Sequence, residues 1–243
     1  VDPIGFSTGA LARSDFATAL DWLRGTPADA VEISALRLPE LEPLALAAER
    51  LDLAQYRFVS VHAPGQFPAS EERSVIRRLR VFTERGWPVV LHPNAISSSE
   101  LWLELGDMLL LENMDKRKLV GRTADELDEL FLLLPDARLC FDIAHARQVD
   151  GTMTEAYQIL KRFGHRLAQV HISEVTSGSA HDRISPSASR AFQKVASWIP
   201  DVPIIIESRV APEEIAREIG VARAALSPPA ERLHAGVAPL TAA

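Results

Sequence analysis

Six apolar runs along this chain each stop on a histidine or an acid. FVSVH ends at His62, VVLH at His92, LLLE at Glu112, LCFD at Asp142, LAQVH at His171 and PIIIE at Glu207. Apolar runs of this length read as buried strands. Imidazole and carboxylate groups are costly in an apolar core unless they are paired or hold a metal. The repetition therefore asks for a fold that gathers the carboxyl ends of most strands in one place.

The strand candidates are Ile4–Ser7, Ala30–Ile33, Phe58–His62, Val89–His92, Leu109–Glu112, Leu139–Asp142, Leu167–His171 and Val202–Glu207. Helical patterns alternate with them. Asp15–Arg24 puts Phe16, Leu20 and Leu23 on one face, with Ser14 as N-cap. Thr123–Leu134 opens on a capping box that pairs Thr123 with Glu126. Met153–Phe163, Ala188–Trp198 and Glu213–Leu226 read as further helices. Alternation of this kind implies parallel pairing with right-handed crossovers. A doubly wound sheet would gather a site from only some strand ends. A barrel brings every strand end to one mouth, so residues as distant as His62 and Glu207 can meet. The 243 residues also approach the ~250 typical of one barrel, although length alone allows two small domains. The expected fold is α/β, a single (β/α)8 TIM barrel over residues 1–226. A Pro- and Ala-rich tail follows at 227–243, to be read as a short helix, a packing arm or a free end.

A hydrophobic fraction of 47% supports a large core. The net charge of −7 argues against broad contact with DNA or an anionic membrane, which needs basic stripes. No apolar stretch approaches the ~20 residues of a membrane span, and Val1-Asp2-Pro3 has no signal-peptide pattern. The sole cysteine, Cys140, cannot form an intramolecular disulfide and reads as a small buried hydrophobe. A cytoplasmic enzyme is the expectation. Oligomeric state is open, with the tail a candidate arm of a homo-oligomer. Glycine-rich phosphate loops are not found.

Five of the seven histidines fall on the expected rim: His62, His92, His145, His171 and His181. His165 precedes a strand and so belongs at the opposite end, and His234 lies in the tail. Imidazole with carboxylate and no thiolate suits zinc first, and also manganese, iron or cobalt. Glu112, Asp142, His171 and Glu207 would make one metal site. His62 and His92 would add a second that shares Glu112, and His145 with His181 a third. Trp22, Trp87, Trp102 and Trp198 are expected to pack helices onto the barrel. Glu32 ends its strand either facing the mouth or in a hydrogen-bonded structural role. Phe6 and Phe67 are candidates for an apolar wall.

The segments SVHAP at 60–64, VVLHP at 89–93, LLLENM at 109–114, CFDIAHA at 140–146, QVHISE at 169–174 and IIIES at 204–208 together resemble the xylose isomerase-like barrels. These include sugar isomerases and epimerases and endonuclease IV-type AP endonucleases. The resemblance implies Glu112, Asp142, His171 and Glu207 as the epimerases' single-metal quartet, with Glu112 and Glu207 as the acid/base pair. It implies His145 as a substrate- or metal-binding histidine. It also implies His62, His92 and His181 as ligands of a trinuclear zinc cluster of the endonuclease IV kind. There the loop after strand seven carries Asp-x-His; here Ser179 stands at the Asp position, and Asp182 is a candidate replacement from the other side.

Two enzymatic readings follow. In the first, two or three metals hydrolyse a phosphoester or related bond in a small polar molecule, sugar-like or phosphorylated, rather than DNA. Lys116, with Arg117, Lys118 and Arg122, would bind the anionic group. In the second, one metal serves isomerisation or epimerisation of a sugar or sugar phosphate, with Arg183 and Arg209 orienting hydroxyls or phosphate. A third reading is a barrel that binds metal or ligand without catalysis. Hydrolysis is ranked slightly ahead because it uses His62 and His92.

Overall fold

The computed structural model describes residues 2–13 and 15–227. Eight parallel strands close into a barrel: β1 (Ile4–Ser7), β2 (Ala30–Ser34), β3 (Phe58–His62), β4 (Val89–Leu91), β5 (Leu109–Glu112), β6 (Arg138–Asp142), β7 (Leu167–Ile172) and β10 (Ile204–Ile206). Two further short strands, β8 (Glu174–Val175) and β9 (His181–Asp182), form an antiparallel ribbon just after β7. The expected (β/α)8 barrel is therefore the observed architecture, with β1 closing between β10 and β2.

Among the described residues the helices are α1 (Thr8–Ala12), α2 (Phe16–Leu23), α3 (Leu38–Ala48), α4 (Glu72–Thr83), α5 (Ser99–Trp102), α6 (Ala124–Leu133), α7 (Ile143–Val149), α8 (Thr154–Phe163), α9 (Pro186–Phe192) and α10 (Ile215–Ala225). The N-cap of α2 is Asp15, whose carboxylate accepts the Thr18 amide at 2.9 Å. The Ser14 N-cap expectation lies outside the described residues, as do residues 228–243 of the tail and His234. Thr123 caps α6 through the Glu126 amide, as the capping-box pattern predicts. None of the described helices is long and apolar enough to cross a membrane.

Side chains along a strand alternate between faces. The outward set, including Phe6, Val31, Ile33, Val61, Leu91, Phe141 and Ile206, joins the helices in one core. A small separate cluster of Val90, Leu110, Cys140 and Ala168 forms a second apolar group. β1 and β2 pack so closely that a Cβ at Gly5 would fall 1.6 Å from the Ala30 carbonyl oxygen. Glu72 at the start of α4 is buried and accepts Trp102 Nε1 at 2.7 Å and the Ser97 amide at 2.8 Å. Trp22 and Trp87 are partly buried against the core, whereas Trp198 is 46% exposed and meets the Tyr157 ring edge-on.

Candidate metal centre

Parity along the strands builds the site. β3 turns Ser60 and His62 inward, β5 turns Leu110 and Glu112, β6 turns Cys140 and Asp142. His92 and Glu207 follow the last residues of β4 and β10. Glu112 sits at the centre. One of its oxygens, Oε2, lies 3.2 Å from His62 Nε2 and 3.1 Å from His92 Nε2. The other, Oε1, lies 3.2 Å from His145 Nδ1 and 3.6 Å from His171 Nδ1. Glu207 Oε2 completes the ring, 3.6 Å from His171 Nδ1 and 3.4 Å from His181 Nδ1.

Three groups of ligand-type atoms result, each within a 4.8 Å span: His62, His92 and Glu112; Asp142, His145 and His181; Glu112, Asp142, His171 and Glu207. All eight residues expected to hold metal thus meet at one mouth. Exposed His165 is not among them.

Local structure aims several of these groups. Asp142 is the N-cap of α7: its Oδ1 accepts the His145 amide at 2.8 Å, which leaves Oδ2 for the centre. Its backbone is clamped by Asn113, which accepts the Asp142 amide at 2.7 Å and donates to the Asp142 carbonyl at 2.8 Å. With Nδ1–H of His62 donating to the Ala63 carbonyl at 2.7 Å, a neutral ring presents the Nε2 lone pair to the centre. Sequence reasoning noted the LLLENM segment but missed Asn113; a buried amide one residue past a ligand was the available signal.

The centre is rich in buried carboxylates. With neutral imidazoles, Glu32, Glu112, Asp142 and Glu207 place four buried carboxylates in one barrel. Burial opposes charge on His62, but the hydrogen bond to Glu112 and the Glu32 carboxylate outweigh it and lift the imidazole to about 9. Burial is likewise overcome at His145, which Asp142 and Glu112 raise to about 10. Burial pushes Asp142 up to about 6, with Glu207 and Glu112 adding to the effect. Burial also raises Glu207, lowers His92 and lowers His181 to about 4. Glu112 stays well below the usual range: burial works upward, but the surrounding imidazoles prevail. Asp142 Oδ2, His171 Nδ1 and Glu207 Oε2 are buried with no hydrogen-bond partner. Unpaired buried acceptors of this kind are what a divalent ion satisfies. Cys140 contributes no ligand, since burial drives its thiol pKa upward.

A cavity of about 240 Å³ opens over the site. Its wall includes Leu36, Met114, Asp115, Arg117, Lys118, Ser179 and Arg209. Lys118 and Arg209 have no ion-pair partner among the described residues. Lys116 and Arg183 do not line this cavity; Arg183 pairs with Glu214 instead. Phe6 and Phe67 do not line it either: Phe6 faces the outer core, Phe67 packs near Trp102, and Leu36 and Met114 form the apolar wall. Asp182 is exposed and its side chain accepts the Arg183 amide at 2.7 Å, so it does not stand in for the missing loop aspartate. Ser179 is tied to Asp115 at 2.8 Å.

No family model matches the chain, and neither does any curated protein. Solved structures do. L-ribulose 3-epimerase superposes with TM-score 0.60 at 14% identity, covering 93% of this chain and 91% of that one. Endonuclease IV from Thermus thermophilus gives 0.59 at 20%, covering 92% and 98%. The chain shares the closed eight-stranded α/β barrel fold of these structures. D-Psicose 3-epimerase with D-tagatose from Clostridium cellulolyticum is a third neighbour, with 0.57 at 12%, covering 92% and 96%.

Proposed function

We propose that this xylose isomerase-like barrel is a divalent-metal-dependent hydrolase acting on a phosphoester or related bond of a small polar molecule. The observation that carries the reading is the convergence of His62 and His92 on one oxygen of Glu112, 3.2 and 3.1 Å away. Single-metal sugar chemistry has no use for that pair. Glu112 presents its second oxygen to the other ligand set, which is the disposition of a bridging carboxylate.

Bound zinc, manganese, iron or cobalt would supply Lewis acidity and a water of lowered pKa. Glu112 would span two metal positions, His62 and His92 would hold the outer one, and Asp142, His171 and Glu207 the central one. His145 and His181 would serve a third. Lys118 and Arg209, on the cavity wall, would hold the anionic group of the substrate. Leu36 and Met114 would shield the opposite side from water. The 240 Å³ cavity and the net charge of −7 support a small substrate over duplex DNA.

The second reading is a single-metal sugar or sugar phosphate epimerase in which Glu112 and Glu207 move protons. It is favoured by the four-residue group that stands complete without His62 and His92, and by the epimerases among the structural neighbours. His92→Ala separates the two. The hydrolytic reading expects activity on a panel of phosphoesters to be abolished in this variant. Full activity of the variant on that panel would sink it; retained turnover of ketoses would install the epimerase.

A further inference from the structure

The sharpest unexplained feature lies beneath the metal centre. Glu32 is fully buried inside the barrel and pairs with no lysine or arginine among the described residues. Its Oε2 sits 3.0 Å from His171 Nε2, 2.7 Å from Gln169 Nε2 and 3.2 Å from Ser60 Oγ, and its Oε1 has no partner. A carboxylate in such a place is expensive unless it serves a charged neighbour.

The opposite edge of the His171 ring supplies that neighbour. Nδ1 faces Glu112 Oε1 and Glu207 Oε2, both at 3.6 Å, and makes no hydrogen bond. A neutral imidazole carries one proton. If it rests on Nδ1, the ring cannot ligate through that atom; if it rests on Nε2, the Nδ1 lone pair points at the central position. Two groups compete for Nε2. Glu32 Oε2 can only accept its proton, whereas Gln169 Nε2, at 2.7 Å, can only donate to a bare nitrogen.

We infer that Glu32 is a positioning residue that holds the proton of His171 on Nε2 and so makes Nδ1 the ligand of the central metal. Outer carboxylates of this kind fix the tautomer and raise the basicity of a metal-bound imidazole. Gln169 and Ser60 hold the Glu32 carboxylate in line by donating to the same oxygen. This inference rests on the metal centre proposed above, and not on which reaction it performs.

The test reads the tautomer directly. In the wild-type chain loaded with zinc, nitrogen-15 NMR of the His171 ring should show a protonated Nε2 and a metal-bound Nδ1. Glu32→Gln, which keeps the shape and removes the charge, should weaken zinc at the central position by roughly 10–100-fold. Substituting cobalt should then change the visible absorption of that position. A chain that binds no zinc would overturn the metal centre and the inference together. Zinc bound while His171 Nδ1 stays protonated, or a folded Glu32→Gln chain with wild-type affinity and cobalt spectrum, would overturn the inference alone. The wild-type spectrum keeps the test decisive if the variant does not fold.

Discussion

Loading the centre with metal should expel protons, and the geometry says from where. His62 and His145 are held at about 9 and about 10 by the carboxylates around them, so both carry an extra proton in the metal-free chain near neutral pH. His92 and His181 are lowered, the latter to about 4, and are already neutral there. A metal ligand must be deprotonated. Filling the His62 position therefore releases one proton from that ring, and filling the His145 position one from its own. Each displaced proton should steepen apparent affinity by about tenfold per pH unit between about pH 7 and the pKa of the ring. Calorimetric titration in buffers of different ionisation enthalpy counts the protons. His62→Ala and His92→Ala, each of which empties the outer position, should both remove the His62 proton from the count. The stability of the metal-free chain runs the other way. The raised histidines contribute stability below about 6.5, their unfolded value, and that contribution is lost as pH climbs through about 9 and about 10. Metal affinity that is flat from about pH 7 to about 9, with no proton release, would refute the reasoning.

Three further outcomes are expected. Glu72→Ala strands the buried Trp102 indole N–H and leaves the more accessible Ser97 and Ser98 amides to water; the one orphaned core donor should cost about 1–3 kcal/mol, read by denaturant unfolding. Gly5→Ala drives a methyl into the Ala30 carbonyl and should cost at least as much as a typical overpacking change, about 1–3 kcal/mol, read as a lowered melting temperature. Arg209→Ala should raise the KM for an anionic substrate about tenfold or more while leaving metal content unchanged; an unchanged KM would remove Arg209 from the substrate.

The convergence of the candidate ligand residues was legible because strand alternation converts a linear pattern into a spatial one. A residue ending an apolar run two positions after an inward side chain also faces inward, whatever the loops do. The barrel followed from the same repetition. The loops did not follow, because long-range hydrogen bonds shape them. Ser179 is fixed by Asp115 and Gln148, residues 64 and 31 positions away, and nothing local predicts that Asp182 turns outward. In the run 116–118, Arg117 and Lys118 line the cavity while Lys116, whose amide donates to Gln148, does not. Helices α1, α4 and α5 were not read from the sequence, and neither were α3 and α7. Proline at 39 and 43 obscures α3, and α7 is short and capped by a metal-type residue, Asp142. Glu32 could be read either way from its strand; only the distance to His171 decides for the hydrogen-bonded role.

The most direct measurement is metal content per chain, by elemental mass spectrometry, on protein purified without added metal or chelator. The account predicts two or three equivalents of zinc, iron or manganese, falling by one in His92→Ala. A single equivalent, unchanged in that variant, would contradict the shared-carboxylate centre and leave only the Glu112, Asp142, His171 and Glu207 site.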